Sequence, residues 1–429
     1  MQLELFQDDV KQVRIKTKEK INKLKEVDSP FHSWYRFVLS FPAHLVRDYL
    51  KKFNLVKGTL LDPFCGTGTT LVESKLLGID SIGIEANPMA YFASDVKIDW
   101  SIEPEELLEH AFLVCKKAHK AIAEWNGILK TLPQESFKLL LKDSINPLPL
   151  HKALILLDVI NDLKKDSLYK HELLAFSKMI VHYASNLYFG PEVGVRSNKK
   201  QDALVVESWF LIIENMANDL KFNKPRTMGN GIVYFADSRE MGDFLKPESI
   251  DAVFTSPPYP NEKDYTWTTS LESILLGFIK NKTDLKNLKK GLLRSNTRNV
   301  YKGDDDDIWI ADNREIQDIA DAIETRRIEL KKTSGFERMY SKVTKLYFGG
   351  MARHFASLRP FLKKGAYLGY VVGDQASYLR VMIRTGTLLA EIAKSLGYQV
   401  ESIDLFRTRF STVTKEQIKE EVLILRWPG

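Results

Sequence analysis

Seven short apolar runs constrain the fold of this chain most strongly. They cover residues 58–64, 81–86, 231–236, 250–255, 365–374 and 421–427, with a less clean run at 398–406, and Gly, Pro, Asp or Asn punctuate their ends. Runs this short and this continuously apolar suit strands of a parallel sheet covered on both faces. Helical patterns lie between them. Residues 69–77 form one, closed by Gly78, and residues 347–362 form another, with Phe348, Met351, Phe355 and Leu358 on one stripe. Strand–helix alternation predicts an α/β fold: an open, doubly wound, mostly parallel seven-stranded Rossmann-like sheet. No internal repeat of fixed period competes with it.

Two stretches interrupt the alternation. Residues 102–230 read as almost entirely helical, starting at Pro104-Glu105-Glu106, where Pro sits in the first turn and two acids meet the positive end of the helix dipole. Residues 279–341 are highly charged: eight basic residues against one acid between 280 and 302, then the acidic run 304–307. The expected organisation is one core in three parts (29–101, 231–278 and 342–429), preceded by an arm (1–28). Two largely helical insertions (102–230 and 279–341) are each candidates for target recognition.

Composition removes other classes. Two cysteines in 429 residues cannot build a disulfide framework or a four-cysteine zinc site. No apolar run approaches the ~18–20 residues of a membrane helix. The acidic start, Met1 to Asp9, lacks the order of a secretion signal. A cytoplasmic protein without membrane or metal is expected. The net charge of +6 permits a nucleic-acid partner without demanding one.

The chemistry concentrates at strand ends. Asp62-Pro63-Phe64-Cys65-Gly66-Thr67-Gly68-Thr69-Thr70 joins the first strand to the first helix, and its glycines admit a ligand close to main-chain N–H groups. It is not a P-loop, and Leu71 breaks the dinucleotide fingerprint. Glu85 closes the second strand, where an acid accepts hydrogen bonds from ribose hydroxyls. Asp237 closes the third, where an acceptor suits an adenine amino group. The strongest motif is Thr255-Ser256-Pro257-Pro258-Tyr259. Two prolines fix consecutive φ angles and remove two donors, leaving rigidly aimed carbonyls. Ser256 adds a hydroxyl, and Tyr259 an aromatic face on which a base can stack. The combination suits an exocyclic amine held in the plane of a stacked ring.

With these residues in view, the chain resembles the DNA methyltransferases that methylate exocyclic amines, N4 of cytosine or N6 of adenine. Residues 62–70 look like the family's cofactor motif. Ser256-Pro257-Pro258-Tyr259 looks like its catalytic motif, in the Ser form usual for cytosine-N4 enzymes. The segments 32–35 and 41–46 loosely resemble its N-terminal cofactor-contacting segment. The resemblance covers the sheet-forming half of the chain and implies S-adenosylmethionine as cofactor and double-stranded DNA as substrate, with a cognate restriction endonuclease as a further expected partner. It implies a cofactor set of Phe41, Pro42, Asp62, Phe64, Cys65, Gly66, Gly68, Thr69, Glu85, Asn87, Asp237, Ser238 and Thr255. It implies that Ser256 and the Pro257 carbonyl bind the target amine beside Pro258, while Tyr259 stacks on an extruded base. Adenine-N6 methylation, RNA or protein methylation, and a nucleic-acid-binding module without catalysis are the alternatives.

A duplex target needs backbone contacts to offset the cost of extruding a base. The candidates are Lys289, Lys290, Arg294 and Arg298, with Asn296 and Asn299 as base readers, and a second cluster of Arg196, Lys199 and Lys200. Gly373-Asp374-Gln375, Arg407 and Arg409 are further candidates for the same cleft, with structural ion pairing the competing role. Neither Cys65 nor Cys115 lies in the Pro-Cys context of cytosine-C5 methylation, and the His-x-Glu and Cys-x-x-Cys of a zinc deaminase are missing. The run 304–307 fails the calcium-loop pattern at Ile308 and reads as a solvated acidic loop.

Overall fold

The computed structural model describes residues 24–36, 40–190, 193–261, 263–410 and 416–429. Most of the expected N-terminal arm therefore lies outside the described residues. Among the described residues, seven strands form one sheet: β1 (Thr59–Asp62), β2 (Asp80–Glu85), β5 (Gly231–Phe235), β6 (Ile250–Thr255), β7 (Leu362–Gly373), β8 (Gln399–Phe410) and β9 (Gln417–Arg426). A separate antiparallel pair joins β3 (Leu187–Phe189) to β4 (Val193–Val195). The spatial order of the large sheet is β5-β2-β1-β6-β7-β9-β8, parallel throughout except for β9, which runs against both neighbours.

The two-residue period of a strand sorts side chains onto two faces. Leu61, Val253, Leu368, Tyr370, Val372 and Leu425 point one way, into a core shared with Phe348, Met351, Phe355 and Leu388. Leu60, Ala252, Phe254, Val371 and Ile424 point the other way, onto Leu45, Val46, Tyr49 and Leu50 of helix α1 (Ala43–Lys52). Helices α2 (Thr69–Leu76) and α3 (Pro88–Ile98) join a third apolar cluster, which also takes in the helices between residues 104 and 222. The sheet is thus sandwiched, as its near-continuous apolar runs require.

Every expected strand is present, with moved ends. The first stops at Asp62 because Pro63 has no N–H to continue the ladder. The last two are longer than expected and form a hairpin, Arg407 opposite Glu420 and Phe410 opposite Gln417, that overhangs the end of β7. The expected helix at 347–362 runs instead over Tyr340–Leu358, because Pro360 stops it. The stretch 102–230 is largely helical but not wholly so, since it carries β3 and β4. No helix among the described residues is long and apolar enough to cross a membrane.

Candidate active site

Chain order reverses at the centre of the sheet. From β1 the chain builds outward through β2 to β5; from β6 it builds the other way to β7. The carboxyl ends of strands at such a switch point open a crevice, the usual ligand site of an open α/β sheet. Here the crevice is a cleft of about 990 Å3, lined by Phe41, Pro42, Phe64, Cys65, Gly66, Thr69, Glu85, Asn87, Asp237, Ser238 and Ser256 to Tyr259 among others. Four motifs far apart in sequence thereby meet.

On the β1–β2 side the glycine turn shapes the floor. Gly66 (φ +52°) and Gly68 (φ +79°) take left-handed conformations. A Cβ on Gly68 would lie 2.9 Å from that of Ser94, whereas one on Gly66 would meet nothing within 4 Å. Gly68 therefore serves helix packing, and Gly66 faces open space. Glu85 accepts from the Gly66 N–H (2.8 Å) and, on its other oxygen, from the Asn87 N–H (2.7 Å). Each oxygen keeps lone pairs for a further donor. Burial pushes its carboxyl up to about 7, against those backbone hydrogen bonds. Asn87 also caps α3, accepting from Met89 and Ala90.

Asp62 and Thr255 do not line the cleft; they are buried beneath it. Thr255 Oγ1 donates to Asp62 Oδ1 (2.5 Å), which also accepts from the Phe64 N–H (3.2 Å), so this pair ties the glycine turn to β6. Burial raises the Asp62 carboxyl to about 6. Sequence reading missed Lys97, buried under the same turn, whose Nζ donates to the Thr67 carbonyl (2.6 Å). Burial lowers its ammonium to about 7.

Asp237 is partly committed. It accepts from the Arg239 backbone N–H (2.9 Å) and from the Arg239 guanidinium, which also pairs with Asp306. Asp306 pairs in turn with Arg353 (3.2 Å). His354 fixes the neighbouring Ser238: a carbonyl only accepts, so Nδ1–H donates to Ser238 O (2.9 Å) and Nε2 accepts from the Tyr370 hydroxyl (2.7 Å). Burial drops this imidazole to about 4, so it is neutral. Its ring lies 5.0 Å from that of Phe64.

On the β6–β7 side, Ser256 Oγ donates to the Val371 carbonyl (3.0 Å). With its proton committed to β7, the hydroxyl oxygen is an acceptor beside the rigid Pro257-Pro258 carbonyls, and the Tyr259 hydroxyl is in hydrogen-bond contact with it. The Tyr259 ring rests against Gly373, where an added Cβ would lie 2.9 Å from its Cε2. Gly373→Ala should therefore tilt the ring. Turnover in a methyl-transfer assay should fall at least about fivefold, while overpacking costs only about 1–3 kcal/mol in a denaturant melt.

The charged stretch behaves differently from its sequence reading. Lys289 is buried against Asp264 (2.6 Å). Arg294 is buried against Asp304 (2.9 Å) and donates to the Lys289 and Lys290 carbonyls. Asn296 is buried, accepts from the Arg298 N–H and donates to the Lys263 carbonyl. These three are corrected from DNA contacts to internal ones, because a buried charge or amide needs its partners close by. The run 304–307 is corrected in part: Asp304 and Asp306 are internal ion-pair partners, while Asp305 stays exposed. Lys290 and Arg298 remain exposed.

In the second basic cluster, Lys199 pairs with Asp143, Lys200 donates to the Tyr183 carbonyl, and Arg196 donates to that of Leu187. None of the three lines the cleft. Arg407 and Gln375 do line it, Arg407 paired with Glu420, while Asp374 pairs with Arg384 (2.6 Å). The Arg409 side chain lies outside the described residues. Unforeseen in the sequence, Leu293, Ser295, Leu379, Arg380, Phe406 and Phe410 also line the cleft. Asn299 lines it as well.

A DNA methylase family model matches residues 5–93. The chain is 29% identical over 300 residues to the type II methyltransferase M.BsoBI of Geobacillus stearothermophilus, covering 63% of this chain and 57% of that protein. It is 25% identical over 405 residues to the type II methyltransferase M.AvaI of Nostoc, covering 87% and 80%. A 74-residue stretch is 36% identical to the type II methyltransferase M.MjaII of Methanocaldococcus jannaschii, covering 17% and 14%. The match to M.BsoBI thus spans little more than half of that relative. These matches make the chain similar to the amino-methylating DNA methyltransferase family. DNA methyltransferases of this family use S-adenosylmethionine as methyl donor. The residues present fit such a ligand: open space over Gly66, carboxylates at Glu85 and Asp237 for hydroxyl and amino donors, and Phe64 for an apolar face.

Proposed function

We propose that this chain is a site-specific DNA methyltransferase that methylates N4 of cytosine. In this reading it is the cytoplasmic modification enzyme of a restriction–modification system, with a cognate endonuclease as partner. The observation that carries the reading is the hydroxyl of Ser256, held as an acceptor by Val371 next to the Pro257 carbonyl, with the Tyr259 ring seated on Gly373. The Ser form of the motif favours cytosine over adenine.

The chain's own residues do the following. Glu85 takes ribose hydroxyls, Asp237 takes the adenine amino group with the lone pairs Arg239 leaves free, and Phe41, Pro42 and Phe64 cover the apolar parts. When bound, S-adenosylmethionine supplies an electrophilic methyl group on a sulfonium. Tyr259 stacks on the extruded cytosine. Ser256 Oγ and the Pro257 carbonyl accept the two amino N–H bonds, drawing the nitrogen lone pair out of conjugation with the ring. Positioning and preorganised acceptors then lower the barrier without a covalent intermediate; the new N–C bond would form as the methyl–sulfur bond breaks, and the surplus amino proton would leave to solvent from the side of these acceptors. Lys290 and Arg298 remain candidates for the DNA backbone, and the stretches 102–230 and 279–341 for target recognition.

Purified protein incubated with cofactor and mixed-sequence DNA should yield N4-methylcytosine by nucleoside mass spectrometry. N6-methyladenine as sole product would reassign the base. No methylated nucleoside from any DNA would refute the activity.

A further inference from the structure

Two consecutive non-glycine residues, Leu379 (φ +54°) and Arg380 (φ +68°), hold left-handed backbone conformations on the wall of the cleft. Such strain persists only where surrounding structure over-determines it, and it clusters at functional sites. The anchors here are explicit. Gln375 and Ile383 exchange both backbone hydrogen bonds (3.0 and 2.7 Å), closing the loop at its base. Buried Tyr378 donates its hydroxyl to the Ser295 carbonyl (3.0 Å) and stacks on Tyr340 at 4.8 Å. The same Ser295 carbonyl accepts from the Asn261 N–H (2.9 Å), two residues past Tyr259.

The loop thus follows β7 directly and is tied to the catalytic loop, on the β6–β7 half of the cleft and away from Glu85 and Asp237. It carries a cation there. Of the two guanidinium groups lining the cleft, Arg407 is neutralised by Glu420. Arg380 is exposed, and no ion pair of it is found among the described residues. A strained backbone that presents an uncompensated planar fork beside a base pocket matches a phosphate, which guanidinium binds through two parallel hydrogen bonds.

We propose that Arg380 is a positioning residue that binds a backbone phosphate flanking the extruded nucleotide, an inference that rests on the DNA methyl-transfer reading. The contact reads charge and not base identity, so its loss acts alike on all sequences.

The test compares wild type, Arg380→Gly and Arg380→Lys for methyl transfer to genomic DNA from an unmethylated host across a salt series. Cofactor affinity by calorimetry and the thermal midpoint are measured alongside. Glycine adopts the left-handed region freely, so Arg380→Gly should keep or raise the midpoint. It should leave cofactor affinity within about twofold, raise the DNA KM by about tenfold and reduce the salt slope by about 0.9, the contribution of one phosphate contact. Arg380→Lys should restore the slope but only part of the KM, a point charge replacing a fork. An unchanged KM and slope in Arg380→Gly, with wild type active, overturns this inference alone. So does a loss of cofactor affinity with the DNA KM intact, which would assign the guanidinium to the cofactor's carboxylate. A wild-type protein that neither transfers a methyl group nor binds duplex sinks the proposed function and this inference together.

Discussion

Tyr259→Ala should cut turnover by about tenfold to a hundredfold while cofactor affinity stays within about twofold, because base–aromatic stacking is worth roughly 1–3 kcal/mol. The two effects separate because the ring lies on the β6–β7 half of the cleft, against Gly373, whereas the cofactor groups lie on β1, β2 and β5. Tyr259→Phe should retain most of the turnover, since stacking needs the ring and not the hydroxyl. The phenol gains nothing as an acid: burial pushes it above its ordinary value, so it stays neutral. The measurement is single-turnover methyl transfer beside cofactor calorimetry. A collapse of cofactor affinity in Tyr259→Ala would make the ring a structural support.

Glu85→Gln should weaken cofactor binding by about tenfold to a hundredfold, since a hydrogen bond to a charged group contributes roughly 1.5–3 kcal/mol. Glutamine also presents an NH2 to one of two backbone donors, Gly66 or Asn87, that now meet carboxylate oxygens. A pH signature accompanies this. The carboxyl is raised to about 7, so below that pH it is largely protonated and offers a poorer acceptor to ribose hydroxyls. Wild-type affinity should fall as pH drops below about 7, by at most about tenfold per unit, with a proton released on binding at neutral pH. Glu85→Gln should remove that slope. Stability runs the other way. A pKa raised on folding means that the Glu85 contribution favours the folded over the unfolded cofactor-free protein most at low pH, and that it is lost as pH rises from the ordinary carboxyl range through about 7. Calorimetry in two buffers of different ionisation enthalpy reads the proton directly. An affinity independent of pH between about 6 and 8 would remove Glu85 from the ribose contact.

The place of the candidate residues was legible in the sequence wherever they sat at or just past a strand end. Gly66, Glu85, Asp237, Ser256 and Tyr259 each lie within four residues of the end of an apolar run, and a doubly wound sheet brings such ends to one crevice. Charge was misread. Lys289, Arg294 and Asp306 look like solvated surface in a sequence because the partners that bury them cannot be seen there. Asp264 precedes Lys289 by 25 residues, and Arg239 precedes Asp306 by 67. Asp62 and Thr255 were legible as motif members but not as a buried hydrogen-bonded pair 193 residues apart.

By itself the sequence determined the strand set, the glycine turn and the Ser-Pro-Pro-Tyr loop, because these depend on side-chain period and on the fixed φ of proline and the free φ of glycine. Only the tertiary structure decided that the Ser256 hydroxyl gives its proton to β7, that Arg239 occupies part of Asp237, and that Leu379 and Arg380 hold a left-handed turn. Those facts depend on which strand lies beside which and on what a partner fills, and no local pattern encodes either.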